Sequence, residues 1–181
     1  MVVLDPIGVR FQLSGGNLNE NPNLSLGGQI SVATNRNIQS NFLHNLFDEV
    51  TNTEAVSGEH EFRHFYFRNG RSIKLRNVRL VVLADTTSIW SKVEFAKGTA
   101  ENGKVEEAIP DENTAPAGIN DANWRIPNAS NPLVLGDVED GSTASVWCRR
   151  KIEIGSLIAK GEKVHIRIIA DPPVPISPPI N

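Results

Sequence analysis

The chain has 181 residues, of which 39% are hydrophobic and 22% charged, and its formal net charge is −3. This length and composition are typical of one folded domain with its own hydrophobic core, and they exclude a disordered polar chain. The slight acidity does not favour nucleic acid as a partner, because nucleic-acid binding needs a clustered basic surface. No stretch approaches the ~20 apolar residues of a membrane span, so we expect no membrane partner either.

The first part of the chain, residues 1–40, predicts an extended arm with short strands. Residues 9–13 alternate apolar and polar side chains, and residues 29–33 are a second short candidate. Between them, residues 14–28 are dense in Gly, Asn and Ser, which is loop composition. The opening residues lack a basic region followed by a long apolar run, so we expect no signal peptide and no export from the cytoplasm.

Residues 41–50 predict a short helix, because their apolar side chains fall at helical spacing. Ser40 or Asn41 can cap its start. Residues 51–59 are polar and predict a connection to the next element.

The stretch 61–83 predicts a β-hairpin. Two runs rich in β-branched, aromatic and leucine residues flank Asn69 and Gly70. Asn-Gly between such runs is the strongest short-range hairpin signal, because both residues tolerate the positive φ of a type I′ turn.

The register of this hairpin has two alternatives. A strict two-residue turn sets Arg68 opposite Arg71, and like charges facing each other are unfavourable. A wider loop pairs Phe67 with Leu75 and buries Phe65 and Phe67. A one-residue shift swaps the two faces of a strand, so we prefer the wider loop.

The rest of the chain alternates short strands with loops. Further strands are predicted at residues 89–95, 104–109, 144–154 and 163–170, and residues 133–135 lead into a turn. Residues 110–132 form a long Pro- and Asn-rich loop, and loops of this length are usually functional or packed on a partner. The sequence therefore predicts an all-β fold. We expect an antiparallel β-sandwich, Ig-like or jelly-roll-like, over residues 41–171, with one short helix and a Pro-rich extended tail over residues 172–181.

Residue types that carry chemistry are present without the spacing that chemistry needs. His60 and His64 lie on a strand, where residues four apart are about 13 Å apart, so they do not share a metal. Cys148 is the only cysteine, so an intrachain disulfide is impossible, and its strand neighbours favour a small buried hydrophobe. We expect no catalytic, metal or cofactor site. A hydrolase would need a close triad of histidine, carboxylate and hydroxyl.

For two further groups of side chains the sequence favours a structural role over a binding site. The basic run Arg149-Arg150-Lys151 predicts a solvated strand face rather than a phosphate site. Trp90, Trp124 and Trp147 favour packing over a sugar-binding platform.

Three segments together resemble a motif that recurs in tailed-bacteriophage virion proteins. The first is NLFDEVTNTEAVSGEHEFRHFYFRNGRSIKLRNVRLVV, and the second is AIPDENTAPAGINDANW, with its ENTAPAG loop. The third is LGDVEDGSTASVWCRRKIEIGS followed by KVHIRIIAD. The matches keep their order over about residues 41–171.

The resemblance implies a non-enzymatic β-sandwich component of a virion, on the capsid surface, neck, tail or baseplate. Its partners would be other virion proteins and further copies of the same chain, meeting through the arm, the loops and the tail. The candidate assembly-interface residues are Val9, Phe11, Leu24, Leu26, Trp124, Pro172, Pro173, Val174, Pro175 and Ile176. The alternative is a receptor- or glycan-binding module that uses Trp124.

Overall fold

Two antiparallel four-stranded sheets face each other in the computed structural model, which describes residues 2–3, 8–34, 36–38, 45–85, 88–157 and 162–172. The elements are β1 Val2–Val3, β2 Val9–Leu13, α1 Asn52–Ser57, β3 Glu59–Asn69, β4 Leu75–Asp85, β5 Ser91–Lys97, β6 Leu133–Val138, β7 Thr143–Ile152 and β8 Val164–Asp171. The first sheet has the order β1-β8-β4-β6 and the second β2-β3-β7-β5. The predicted all-β antiparallel sandwich is therefore confirmed.

The main core lies between the sheets and follows strand alternation. Phe65 and Phe67 of β3 point inward, as do Val146 and Cys148 of β7, and they meet Leu80 of β4. Cys148 is fully buried, and desolvation raises the pKa of its thiol well above the usual range. The expectation of a small buried hydrophobe at this position is confirmed.

The predicted hairpin is wrong, because β3 and β4 belong to different sheets. Phe67 pairs in register with Phe11 and Ala144, not with Leu75, although the predicted burial of Phe65 and Phe67 is correct. Residues 70–74 instead carry the chain from one sheet to the other.

The side chain of Asn69 explains why this connection is not a type I′ turn. Its amide nitrogen donates to the carbonyl oxygens of Ile73 (2.8 Å) and Val138 (3.0 Å), and its side-chain oxygen accepts from the Arg71 N–H at 3.0 Å. Neither Asn69 nor Gly70 has a positive φ. Asn69 therefore holds a sheet-to-sheet crossing together through its side chain, as Asn often does in turns.

The helix also lies elsewhere than predicted. Of residues 41–50, only 45–50 fall within the described residues, and these are not helical. The helix is α1, in the segment expected to be a polar connection. Thr51 forms a capping box, in which its hydroxyl accepts from the Glu54 N–H and its own N–H donates to the Glu54 carboxylate at 2.6 Å. Gly58, with φ +70°, ends the helix.

Other predicted strands also differ from those of the structure. Residues 29–33 form no strand, and residues 104–109 contribute only a bridge between Glu106 and Gly28. From residues 1–40 come the two short strands β1 and β2, which pair with β8 and β3. Residues 36–38 then cover the outer edge of β2 through bonds such as Leu13 N–H to Arg36 O at 2.8 Å.

A second core covers the outer face of the second sheet, so β3 and β7 are buried on both faces. Phe62 and Trp147 point outward from these strands and are only 3% and 0% exposed. Loop residues Ile109, Ile119 and Trp124 pack over them. The long loop 110–132, which was expected to be functional or packed on a partner, therefore packs in part on its own sheet.

Candidate functional site

An arginine–carboxylate cluster fills the space between the sheets at the end where β3 begins. Its members are Phe47, Asp48, Glu61, Arg63, Glu112 and Arg150. Strand alternation sets this position, because Glu61 and Arg63 share the inward face of β3 with Phe65, and Arg150 shares the inward face of β7 with Cys148.

Arg150 and Glu61 form the centre of the cluster. The Nε and Nη2 nitrogens of Arg150 both donate to the Glu61 carboxylate, and the distance from Nη2 to Oε1 is 2.7 Å. The Arg150 Nη1 donates to the backbone oxygen of Asp48 at 2.7 Å. Burial raises the pKa of Glu61, and the hydrogen bond from Arg150 opposes that rise. This bidentate geometry is the strong form of an arginine–carboxylate pair.

Arg63 extends the cluster towards the loops. Its side chain is fully buried, its Nη2 pairs with Glu112, and the same nitrogen lies 3.6 Å from Asp48 Oδ1. The ring of Phe47 lies 5.6 Å from the guanidinium carbon of Arg63 and 5.0 Å from that of Arg150. These distances are those of cation–π contacts.

The carboxylates of the cluster have guanidinium groups as partners. Asp48, Glu61 and Glu112 each place one carboxylate oxygen within 4.8 Å of the others, a spacing that suits a cation. The guanidinium groups of Arg63 and Arg150 already supply that positive charge. The cluster therefore fastens residues 45–50 and the start of loop 110–132 to the sheets.

A second ionic group holds the outer layer. Arg149 donates through Nε (3.0 Å) and Nη2 (2.7 Å) to Glu94, and through Nη1 to Asp121 at 2.6 Å. Its guanidinium lies 4.8 Å from the ring centroid of Trp124. The ring centroid of Trp124 also lies 5.5 Å from that of Phe62. The hydrogen bond from Arg149 lowers the pKa of Asp121.

These contacts correct two expectations. Arg149 and Arg150 are 6% and 7% exposed, so the basic run is not a solvated strand face; ion pairs on opposite sides of β7 make their burial possible. Trp124 is 8% exposed between Arg149 and Phe62, which leaves no open ring face for a sugar. The glycan-binding alternative thus loses the residue on which it rested.

A buried histidine, hydroxyl and carboxylate also lie together on the outer face of the second sheet. The Ser145 hydroxyl donates to Glu106 Oε2 at 2.6 Å, and His64 Nε2 lies 2.7 Å from the Ser145 Oγ. Glu106 also accepts from Thr99 and from the Ala100 N–H. Burial works to raise the pKa of Glu106, but these hydrogen bonds outweigh it and the pKa is lowered.

This trio does not have the geometry of a nucleophilic triad. In a triad the imidazole lies between hydroxyl and carboxylate and accepts the hydroxyl proton. Here Ser145 is the middle residue and gives its proton to Glu106, so His64 must donate from Nε2. All three residues are at most 2% exposed, and desolvation lowers the pKa of His64 to about 3. We interpret the trio as a buried structural network.

The candidate interface residues are divided between core and surface. Val9 and Phe11 pack against the main core, Phe11 with its ring 5.4 Å from that of Phe65, and Leu26 packs against the second core. Together with Trp124 these side chains are used in internal packing, because the first sheet covers one face of the second sheet and the loops cover the other. Leu24, at 56% exposed, and Pro172 remain on the surface. The candidates Pro173, Val174, Pro175 and Ile176 lie outside the described residues.

One end of the sandwich carries a shallow acidic groove of about 580 Å³. Its lining comes from Ser57, Gly58, Glu59, His60, Asn113, Ile152, Glu153 and Ile154. Exposed apolar side chains belong to the same end, namely Val56 (72%), Ile154 (76%) and Leu157 (73%). The Ser156 N–H donates to the Ala55 oxygen at 2.9 Å, which joins the segment after β7 to α1.

Sequence reasoning missed the arginine–carboxylate cluster, although a signal was present. Glu61 and Arg63 alternate with the same period as Phe65 and Phe67, so burying the phenylalanines places two opposite charges on the core face. In the same way, Arg150 shares the inward face of β7 with the buried Cys148. The partners Asp48 and Glu112 had no such signal, because loops deliver them.

No protein-family model and no curated protein matches the chain. Among the described residues, no helix has both the length and the apolar character needed to cross a bilayer.

Proposed function

We propose that this chain is a non-enzymatic structural component of a tailed-phage virion, such as a capsid decoration, neck, tail or baseplate protein. It binds other virion proteins and copies of itself through surface loops and chain ends. The proposal starts from the sequence resemblance and is supported by the way the resembling segments meet in space.

One observation carries the proposal. The three segments that resemble virion proteins supply every member of the arginine–carboxylate cluster. The first supplies Phe47, Asp48, Glu61 and Arg63, the second supplies Glu112 and the third supplies Arg150. Motifs far apart in sequence therefore form one structural unit, which is what a shared fold of a particle component requires.

The surface fits an assembly role as well. Val56, Ile154 and Leu157 expose apolar area at one end of a sandwich whose core is otherwise closed. Apolar side chains exposed together are typical of surfaces that bind another protein.

Composition of purified particles tests the proposal. Particles of the phage that encodes this sequence are purified through a density gradient, washed at high salt and examined by quantitative mass spectrometry. We expect the chain at a fixed, stoichiometric copy number per particle, with a phage replication enzyme as the negative control. A chain abundant in infected cells but lost from washed particles would contradict the proposal.

A truncation separates folding from assembly. Removing residues 1–28 would delete β1 and β2 and so damage both sheets, which makes it a poor test of an arm. Removing only residues 173–181 leaves β8 complete, since that strand ends at Asp171. We expect this shortened chain to fold and to enter particles poorly. Normal incorporation would show that the tail is not an attachment segment.

A further inference from the structure

The acidic groove carries carboxylates that form no ion pair with the residues the structure describes. Glu54, Glu59 and Glu153 lie at this end, and none of them forms an ion pair with another described residue. Burial raises the pKa of Glu59, and the nearby carboxylates of Glu54 and Glu112 raise it further. Two lysines lie beside the groove, because Lys151 is opposite His60 in the strand register and Lys92 is opposite Lys151. The groove therefore offers excess carboxylate next to exposed apolar side chains.

The opposite end of the same sheet carries a basic corner, formed by Arg10, Arg68 and Arg71. Arg10 of β2 lies directly opposite Arg68 of β3 in the antiparallel register. Arg71 follows in the crossing connection and packs against Gly8. No carboxylate among the described residues pairs with any of the three.

Such an arrangement is unfavourable within one molecule. Like charges directly opposite each other on neighbouring strands destabilise a sheet. The corner also exposes Ile73, which is 44% exposed. An anionic partner with an apolar rim would relieve the repulsion and cover the isoleucine.

The two surfaces lie at opposite ends of one strand. Glu59 begins β3 and Arg68 is its next-to-last residue. Nine residues of extended strand span about 30 Å, so the corner and the groove of one molecule do not meet.

We propose that copies of this chain bind head to tail, with the basic corner of one molecule in the acidic groove of the next. Three arginines would face three glutamates, and Ile73 would meet the apolar rim of Val56 and Ile154. The proposal names the partner surfaces for the virion role above and rests on that role for its biological setting.

The form of the contact determines the type of assembly. The two surfaces differ, so the contact is heterologous, and repetition closes a ring or extends a filament rather than ending at a two-fold dimer. Rings and stacked arrays are the forms that a repeated particle component takes.

Sedimentation velocity on the purified full chain tests the contact, with two charge-reversed variants. Arg68→Glu/Arg71→Glu reverses the corner, and Glu59→Lys/Glu153→Lys reverses the groove. We expect the unmodified chain to form species larger than a dimer at low ionic strength. Either variant alone should associate about tenfold more weakly, because its reversed surface repels the unchanged one on the next molecule.

Mixing the two variants provides the decisive measurement. In the mixture each reversed surface finds a complementary partner, so association should return to the level of the unmodified chain. The matched control, Lys104→Glu/Lys163→Glu, reverses two exposed charges outside both surfaces and should associate normally. Circular dichroism of every variant shows whether it is folded.

The outcomes separate this inference from the proposed function. A mixture that stays monomeric while both variants are folded overturns the head-to-tail contact, and so does an assembly that stops at a dimer. Either result leaves incorporation into particles untouched. Conversely, salt-sensitive assembly restored by mixing supports the contact even if washed particles lack the chain.

Discussion

The guanidinium of Arg63 is fully buried and pairs with the carboxylate of Glu112, 49 residues further along the chain. This one contact ties the long loop to a central strand of the second sheet. Phe62 strengthens the link, because its N–H donates to the Glu112 backbone oxygen at 2.7 Å. The loop layer is thus held by an ion pair and a ladder-like hydrogen bond at the same residue.

Replacing Arg63 by alanine should destabilise the protein strongly. The change leaves Glu112 without its counter-ion, leaves Asp48 with Arg150 alone, and removes a cation–π contact with Phe47. Removing one partner of a fully buried ion pair costs about 3–5 kcal/mol. We expect a loss of about 3 kcal/mol, at the lower end of that range, because the Glu112 side chain left behind is 34% exposed. Urea unfolding followed by tryptophan fluorescence measures the loss.

Arg79→Ala is the matched control for that loss. Arg79 pairs with Asp171 at 2.7 Å, but the two side chains are 30% and 44% exposed. An exposed pair contributes less than about 1 kcal/mol, so this variant should unfold near the same urea concentration as the unmodified chain. Equal losses in the two variants would show that the cluster is not the anchor we describe.

Acid should destabilise the fold through His64. Its folded-state pKa, lowered to about 3 by desolvation, lies below the value of about 6.5 of an unfolded histidine. As the pH falls below about 6.5, His64 becomes protonated in the unfolded chain but stays neutral in the folded protein. The free energy of unfolding then decreases by up to about 1.4 kcal/mol per pH unit, until the pH approaches the folded-state pKa.

Urea unfolding between pH 7.5 and 4.5, chosen as roughly the range of histidine titration, checks the slope in three proteins. His64→Gln should lower stability at pH 7.5 and flatten the slope, since it removes the group that titrates. His165→Gln, the same substitution at an exposed histidine of β8, is the matched control. If His64→Gln retains the slope of the unmodified chain, another group causes the acid sensitivity.

The strand patterns predicted the class of fold and most strands. They did not predict which residues distant in sequence contact each other. Alternation located β7 and β8 to within a few residues, because a buried face repeats every second residue. The Asn69-Gly70 signal misled because the Asn69 side-chain amide donates to the backbone oxygens of Val138 and Glu139. A local turn preference does not contain these distant partners. The sequence correctly predicted that Arg149 lies on a strand. It did not predict that a loop covers the side chain.

Trp124→Ala should lower stability rather than remove a binding function. The ring is 8% exposed and packs against Phe62 and Arg149. Deleting a large buried aromatic side chain costs about 3–5 kcal/mol. Differential scanning calorimetry measures the change, and Trp90→Ala, at a half-buried ring, is expected to lower the midpoint less. An unchanged midpoint for Trp124→Ala would mean that the loop layer does not depend on this residue.

Asn102 should protect the edge of the first sheet. Its amide nitrogen donates to the backbone oxygens of Leu135 (3.0 Å) and Asp137 (2.7 Å) in the edge strand β6. Asn102→Ala frees both carbonyls, so we expect a loss of about 1–2 kcal/mol and faster aggregation on warming. Light scattering during a thermal ramp records the second effect.

Asn17→Ala is the control for the edge. Asn17 is exposed, and its side chain forms no hydrogen bond within the described part of the chain. The variant should behave as the unmodified protein does. Aggregation of both variants at the same temperature would indicate that surface asparagine content, rather than the edge of β6, controls solubility.

The order of the strands also decides when the chain is able to fold. None of the described strands pairs with its neighbour through a short turn; even β2 and β3 are joined by a connection of 45 residues, from 14 to 58. The strands that complete the interior of both sheets, β7 and β8, leave the ribosome after the other described strands. Ladders built from distant segments form slowly, because loop closure precedes any stabilising contact. In a nascent chain that ends before residue 143, β3 therefore pairs only with β2, and β4 pairs only with β6. Both sheets are completed only after residues 143–171 have emerged.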